Sequence, residues 1–313
     1  MLSQSVRNRT AQCAVFGIGL LFLTSLPLPA SAQEGDAATS ENEPQAEEPR
    51  RERRGGRDRQ ITWNNPREFD VPGLTHQTLD SSAIGQTVGF NIYLPPQYEN
   101  EPDRRFRVVY FLHGAGGNES SDAGFSHIAH RKIVNGEIEP MIWVFPNGGM
   151  SGYRDRGDAK VETMIIEELI PHIDENYRTL AKAESRGVAG FSMGGGGAMR
   201  YVLKYPDLFG TGASFAASLG RGRNPEPDRS PDGVYAFADA LTAEQAERLW
   251  LMLVIGEDDF LFSGHAPFVK HMHDKKVRTT YIVHSYLDHN FGMLTQLSGP
   301  TVVDHLARQL KSE

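Results

Sequence analysis

The chain has 313 residues, a formal net charge of −8 and 39% hydrophobic residues, which is ordinary for a globular protein and enough to bury a large core. Mild acidity, with no basic stripe on the folded part, excludes a nucleic-acid binder. The one cysteine, Cys13, lies in the first 32 residues, so a chain cut after them has no disulfide and draws its stability from its core.

Residues 1–32 combine Arg7 and Arg9, an apolar middle and an Ala-Ser-Ala end before Gln33. Basic start, short apolar run and small-residue cleavage site describe a secretory signal peptide. The run is shorter than the ~20 residues of a membrane-spanning helix. The expectation is a secreted protein, periplasmic or extracellular, with no stable membrane anchor after cleavage. Residues 33–60 hold almost nothing apolar, acidic first and basic second, and read as a disordered charged linker. Residues 61–313 then form one domain.

Within that domain, residues 75–98 alternate, break at Gly85 and end at Pro95-Pro96, which predicts a strand pair. Residues 107–114, 141–149, 187–191, 249–259 and 278–286 carry short apolar runs, the pattern of strands covered on both faces. Helical patterns fall at 161–177, where Pro171 is expected to kink or end the helix, and at 198–209, 264–276 and 299–313. Strands alternating with helices imply an α/β fold with a mostly parallel central sheet and helices on both faces. Chemistry in such folds lies in the loops after strand ends.

Gly190-Phe191-Ser192-Met193-Gly194 fits G-x-S-x-G between a strand-like and a helix-like run, the setting of a nucleophile elbow. A serine on that turn has a strained backbone that points its oxygen away from the sheet. Positions two before and two after it crowd each other, so only glycine fits there. Gly195, Gly196 and Gly197 extend the run into the helix, where each glycine costs ~1 kcal/mol relative to alanine. The expected compensation is close approach of the helix to its neighbours. Open amides at its N-terminus, the positive pole of the helix dipole, would favour an oxyanion.

A serine hydroxyl needs a base, and the base an orienting acid; in this setting the chain order is serine, acid, histidine. Glu257, Asp258 and Asp259 follow an apolar run; Asp259 leads as the acid and Asp258 is second. Downstream, His284 falls inside a strand pattern and reads as structural. His271 and His273 form an H-x-H pair on a predicted helix with no third ligand nearby, a weak metal candidate. His289, in a loop past the last strand, is the base. The oxyanion amides are expected from Met193 and from Ala115, which lies in the His-Gly turn of "FLHGAGG". His113 precedes the serine in chain order and reads as a turn residue. Nothing here requires a cofactor.

The motifs "NIYLPPQY", "VVYFLHGAGGN", "VFPNGG", "EELIPHIDENYRT", "VAGFSMGGGGAM", "YPDLFG", "GEDDFL" and "DHNF" occur in order over about residues 73–295. In them the chain resembles the esterase-D-like group of α/β hydrolases, which includes feruloyl and acetyl-xylan esterases, enterochelin esterases, S-formylglutathione hydrolases and mycolyltransferases. The resemblance implies the α/β-hydrolase fold, with nucleophile, acid and base at Ser192, Asp259 and His289 and oxyanion amides at Ala115 and Met193; it favours Asp259 over Asp258. It implies a cofactor-independent serine esterase acting through an acyl-enzyme on a small-molecule or polysaccharide ester, an acylated or feruloylated carbohydrate. Acyl transfer to a sugar and siderophore ester hydrolysis are sibling readings, and a non-catalytic carbohydrate-binding module is the reading from another class. The S-formylglutathione branch is typically cytosolic, unlike an exported chain, and mycolyltransferases usually carry a different early loop. Residues 220–237 read equally as a loop bordering the pocket or as plain surface.

Overall fold

The computed structural model describes residues 61–220 and 228–312. The signal-peptide and linker readings, Cys13 and the middle of the 220–237 segment lie outside the described residues.

In chain order the strands are β1 (Leu74–Ser81), β2 (Gln86–Tyr93), β3 (Arg107–Leu112), β4 (Met141–Pro146), a short ribbon of β5 (Asp155–Arg156) and β6 (Ala159–Lys160), β7 (Arg186–Phe191), β8 (Thr211–Phe215), β9 (Trp250–Gly256) and β10 (Arg278–His284). The helices are α1 (Gln97–Asn100), α2 (Ser126–Val134), α3 (Val161–Thr163), α4 (Ile170–Asn176), α5 (Met193–Lys204), α6 (Val234–Ala240), α7 (Ala243–Arg248), α8 (His265–Asp274) and α9 (Phe291–Gln309). The main sheet runs β1-β2-β4-β3-β7-β8-β9-β10. β1 and β2 are antiparallel, as the alternation predicts, and β2 joins β4 antiparallel; every later pairing is parallel. This is the α/β-hydrolase architecture.

The core divides by strand alternation into two layers. Val108, Tyr110 and Leu112 of β3 face the layer that holds Met199 and Val202 of α5 and Phe268 and Met272 of α8. Val109 and Phe111 face the opposite layer, with Ile128 and Ile133 of α2 and Val302, Val303 and Leu306 of α9. Side chains of one strand thus anchor helices on both faces, because successive residues point to opposite sides.

Four features depart from the sequence reading. β8 was not predicted: Thr-Gly-Ala-Ser-Phe is too small-residued to read as an apolar run, yet all five residues are buried between β7 and β9. Pro171 does not break its helix; Met164–Leu169 widen into a π-turn between α3 and α4, and the proline falls in the first turn of α4, where its missing N–H is tolerated. α9 starts at Phe291 rather than residue 299, capped by the Asn290 side chain accepting from Met293 N at 3.0 Å. α1, α2, α6, α7 and the β5–β6 ribbon are additional, although Thr242 and Gln245 form a capping box at α7 that the Thr-x-x-Gln spacing encodes.

Candidate active site

Ser192 stands alone between the end of β7 and the start of α5, at φ 53° and ψ −113°. Non-glycine residues rarely adopt such a backbone, at a cost of roughly 1–3 kcal/mol. Its N–H donates to Phe215 O at 2.8 Å, and its carbonyl accepts from Gly196 N and Ser218 N, both at 3.0 Å. A Cβ at Gly190 would stand 2.5 Å from the Gly194 backbone, and one at Gly194 would overlap the Leu112 carbonyl. The following glycines are equally tight: a Cβ at Gly195 would meet the Ala217 backbone at 3.0 Å, one at Gly196 would overlap the Ser218 carbonyl, and one at Gly197 would meet the Tyr153 ring at 2.7 Å. The run lets α5 lie directly on β3, the loop after β8, and Tyr153.

The strand ends bring three distant side chains together. Ser192 Oγ is 2.9 Å from His289 Nε2, and His289 Nδ1 is 2.7 Å from Asp259 Oδ2. The network fixes the tautomer: Nδ1–H donates to the carboxylate, leaving Nε2 to accept the serine proton. Asp259 is buried, and its Oδ1 accepts from Leu261 N at 2.8 Å. Glu257 and Asp258 are exposed. Phe191 and Phe260 pack against the imidazole at centroid distances of 4.8 and 4.6 Å.

After β3, the turn at His113–Gly117 carries Ala115, which is exposed. His113 commits both ring nitrogens to the backbone: Nδ1–H donates to Gly114 O at 2.8 Å, and Nε2 accepts from Gly148 N at 2.9 Å. Burial pushes its pKa down, which keeps the ring neutral, so His113 is a turn residue. Tyr153 Oη–H donates to His113 O at 3.1 Å. At the far end of the turn, the buried Glu119 carboxylate accepts from Asn147 Nδ2 at 2.7 Å and Asn65 Nδ2 at 3.2 Å. Among the described residues no loop or turn carbonyl accepts from the Ala115 or Met193 N–H.

The rejected histidines have other partners. His284 Nε2 is 2.8 Å from Ser298 Oγ, and His271 lies 3.1 Å from Asp239. Among the described residues no group of three or more His, Cys, Asp or Glu is placed to hold a metal ion. Tyr153, Phe191 and Phe260 around the site were not singled out in sequence. Neither were Arg154 and Arg156, whose R-x-R pattern in a glycine-rich loop was the available signal.

A model of the family described as "Putative esterase" matches residues 81–295. Esterase Rv1288 of Mycobacterium tuberculosis is 37% identical over 163 residues, covering 50% of this chain and 35% of the relative. A protein of Xylanibacter ruminicola named endo-1,4-beta-xylanase/feruloyl esterase is 32% identical over 157 residues, covering 46% and 21%. The chain therefore spans about a third and about a fifth of these relatives' lengths. A solved ferulic acid esterase structure superposes with a TM-score of 0.68 at 23% identity, over 76% of this chain and 98% of that one; at that identity the likeness concerns the fold.

Proposed function

This chain belongs to that esterase family, and from that premise we propose that it is a serine esterase with Ser192 as nucleophile, His289 as base and Asp259 as orienting acid. Ser192 Oγ attacks the carbonyl carbon of a carboxylic ester while His289 Nε2 takes the hydroxyl proton. The carbonyl oxygen becomes an oxyanion, to which the Ala115 and Met193 N–H groups donate at the positive end of α5. The bond to the leaving oxygen then breaks, His289 returns the proton to it, and the acyl group stays on Ser192. Water repeats the sequence, releasing the acid and restoring the serine.

The observation that carries this reading is the unbroken hydrogen-bonded chain from Asp259 through His289 to Ser192. A fluorophosphonate probe is expected to label Ser192, and Ser192→Ala to abolish both labelling and ester turnover. Labelling elsewhere, or turnover that survives Ser192→Ala, sinks the assignment; a non-catalytic module would not label at all.

We extend the reading to an exported enzyme acting on an acylated carbohydrate. The leader pattern of residues 1–32 supports export, and the relative named for xylanase and feruloyl esterase supports the substrate class. Turnover across short acyl, acetyl-xylan, feruloyl and catecholate-siderophore esters tests the substrate, and an exported product beginning at Gln33 tests the leader.

A further inference from the structure

Beside the elbow lies a cavity of about 340 Å³, within the size range of small-ligand sites. Met193 and Gly196 from the first turn of α5 line it, with Ser218, Arg154, Arg156 and Arg200. Its wall is tied to the nucleophile, since Ser218 N donates to the Ser192 carbonyl at 3.0 Å and Met193 is the next residue along the chain. Its described lining includes none of Ser192, His289 and Phe260. The leaving oxygen has to receive its proton from His289 Nε2, so the alcohol departs on the imidazole side and the acyl half occupies the other.

Cations outnumber carboxylates among the described residues that line this cavity. Arg200, buried, meets Glu162 at 2.8 Å and Asp232 at 2.5 Å. Arg154 shares the same Asp232 at 3.0 Å and lies 3.9 Å from Asp228, which also lines the cavity. Glu162 is shared in turn with Lys204 at 2.7 Å. Arg156 has no carboxylate partner among the described residues. Of the charged described residues that line the cavity, Arg154, Arg156 and Arg200 are cations and Asp228 is a carboxylate; Arg154 and Arg200 are paired with carboxylates and Arg156 is not. Burial, and then repulsion from Arg200, pushes the Arg154 guanidinium below its ordinary value, against the pull of Asp232 and Asp228. Gly220, Asp228 and Val234 also line the wall.

We propose that this cavity selects an acyl group that itself bears a negative charge, a carboxylate at the end of a short acyl chain, with Arg156 as the residue that reads it. A guanidinium matches a carboxylate with two parallel hydrogen bonds, and here it does so without giving up an existing partner. The inference rests on the Ser192 esterase reading and narrows its substrate.

The test uses the full chain and two esters with acyl chains of equal length, p-nitrophenyl hexanoate and the p-nitrophenyl half-ester of adipic acid. The ratio of their kcat/KM values is expected to favour the half-ester about tenfold at low salt, the size of a charge-assisted hydrogen bond, and to fall as salt is added. Arg156→Gln lowers the ratio about fivefold or more, and Arg156→Lys keeps part of it, because the charge stays while the fork is lost. Arg278→Gln, at a guanidinium stacked on Trp250, leaves the ratio unchanged. Hexanoate turnover without preference for the half-ester overturns the inference alone, as does a ratio indifferent to Arg156→Gln or a preference for the uncharged p-nitrophenyl ferulate. Turnover of none of these esters sinks the esterase reading and the inference with it.

Discussion

Asp258 and Asp259 are adjacent, chemically identical and oppositely placed. Asp258 N–H donates to Leu287 O at 3.0 Å while its side chain faces solvent; Asp259 turns inward, with its carboxylate divided between His289 and the Leu261 amide. A carboxylate in the second position holds Nδ1–H and stabilises the imidazolium that forms during attack. Asp259→Asn is therefore expected to preserve the fold and lower kcat by about 10³–10⁴-fold through the wrong tautomer. Asp258→Asn should change it less than about twofold, because surface substitutions away from such features are nearly silent. Steady-state rates on a p-nitrophenyl ester decide between them, and the opposite order of effects would move the acid to Asp258. Asp259 leads Asp258 in the sequence reading and the family resemblance favours the same residue, although residue type alone does not separate neighbours on one turn.

At the scale of the element, the informative unit is the glycine run that opens α5. Taken alone, Gly196→Ala should stabilise a helix by ~1 kcal/mol. Its new Cβ would overlap the Ser218 carbonyl, and Ser218 is bonded through its own N–H to Ser192. Overpacking against backbone costs about 1–3 kcal/mol or more, so the clash outweighs the propensity gain. Gly196→Ala is expected to lower Tm and also kcat, by dragging the elbow with it. Gly264→Ala, where an added Cβ meets nothing within 4 Å, should stay within ~0.5 kcal/mol of wild type. Thermal melts of the two variants check this, and a Gly196→Ala protein as stable as wild type would contradict the close-approach account. The expectation that the glycines serve close packing came from their position between strand and helix. Their partners, Tyr153 and the Ser218 loop, left no trace in the local pattern.

The pH dependence of stability belongs to the whole molecule, because it sums groups buried in different layers. Burial pushes His265 and His305 down to about 4, and His113 down as well. These rings stay neutral in the fold but take up protons once unfolded, so each adds stability that is present above about pH 6.5 and is lost as pH falls through the folded value. Burial pushes the Asp122 carboxyl up to about 6. Its contribution has the other sign: full below about pH 4, lost as pH rises through 6. Two histidines near 4 against one aspartate, with His113 acting in the histidines' direction, leave a net uptake of protons on unfolding between about pH 4 and 6, worth roughly 1 kcal/mol per pH unit or more. Tm is expected to fall on acidification from pH 7 to 5, more steeply in Asp122→Asn, which removes the opposing group. Tm measured across that range checks the sign, and a Tm that rises on acidification would contradict it.

By itself the amino-acid sequence determined the strand-to-helix junction at Ser192, the acidic turn 257–259 at the end of the fourth apolar run, and His289 just past the last. Each is a local event at the end of an apolar run, and hydrophobic periodicity reports local events. Tertiary structure alone decided that Thr211–Phe215 is a strand, because its neighbours β7 and β9 supply the pairing its small side chains do not advertise. It alone set Ser192 and His289 at bonding distance across 97 positions of chain, and placed Arg154 and Arg156 on the wall of the cavity beside Met193. Burial, partnering and charge surplus are properties of residues far apart in the chain, and only the order in which the strands lie side by side makes them neighbours.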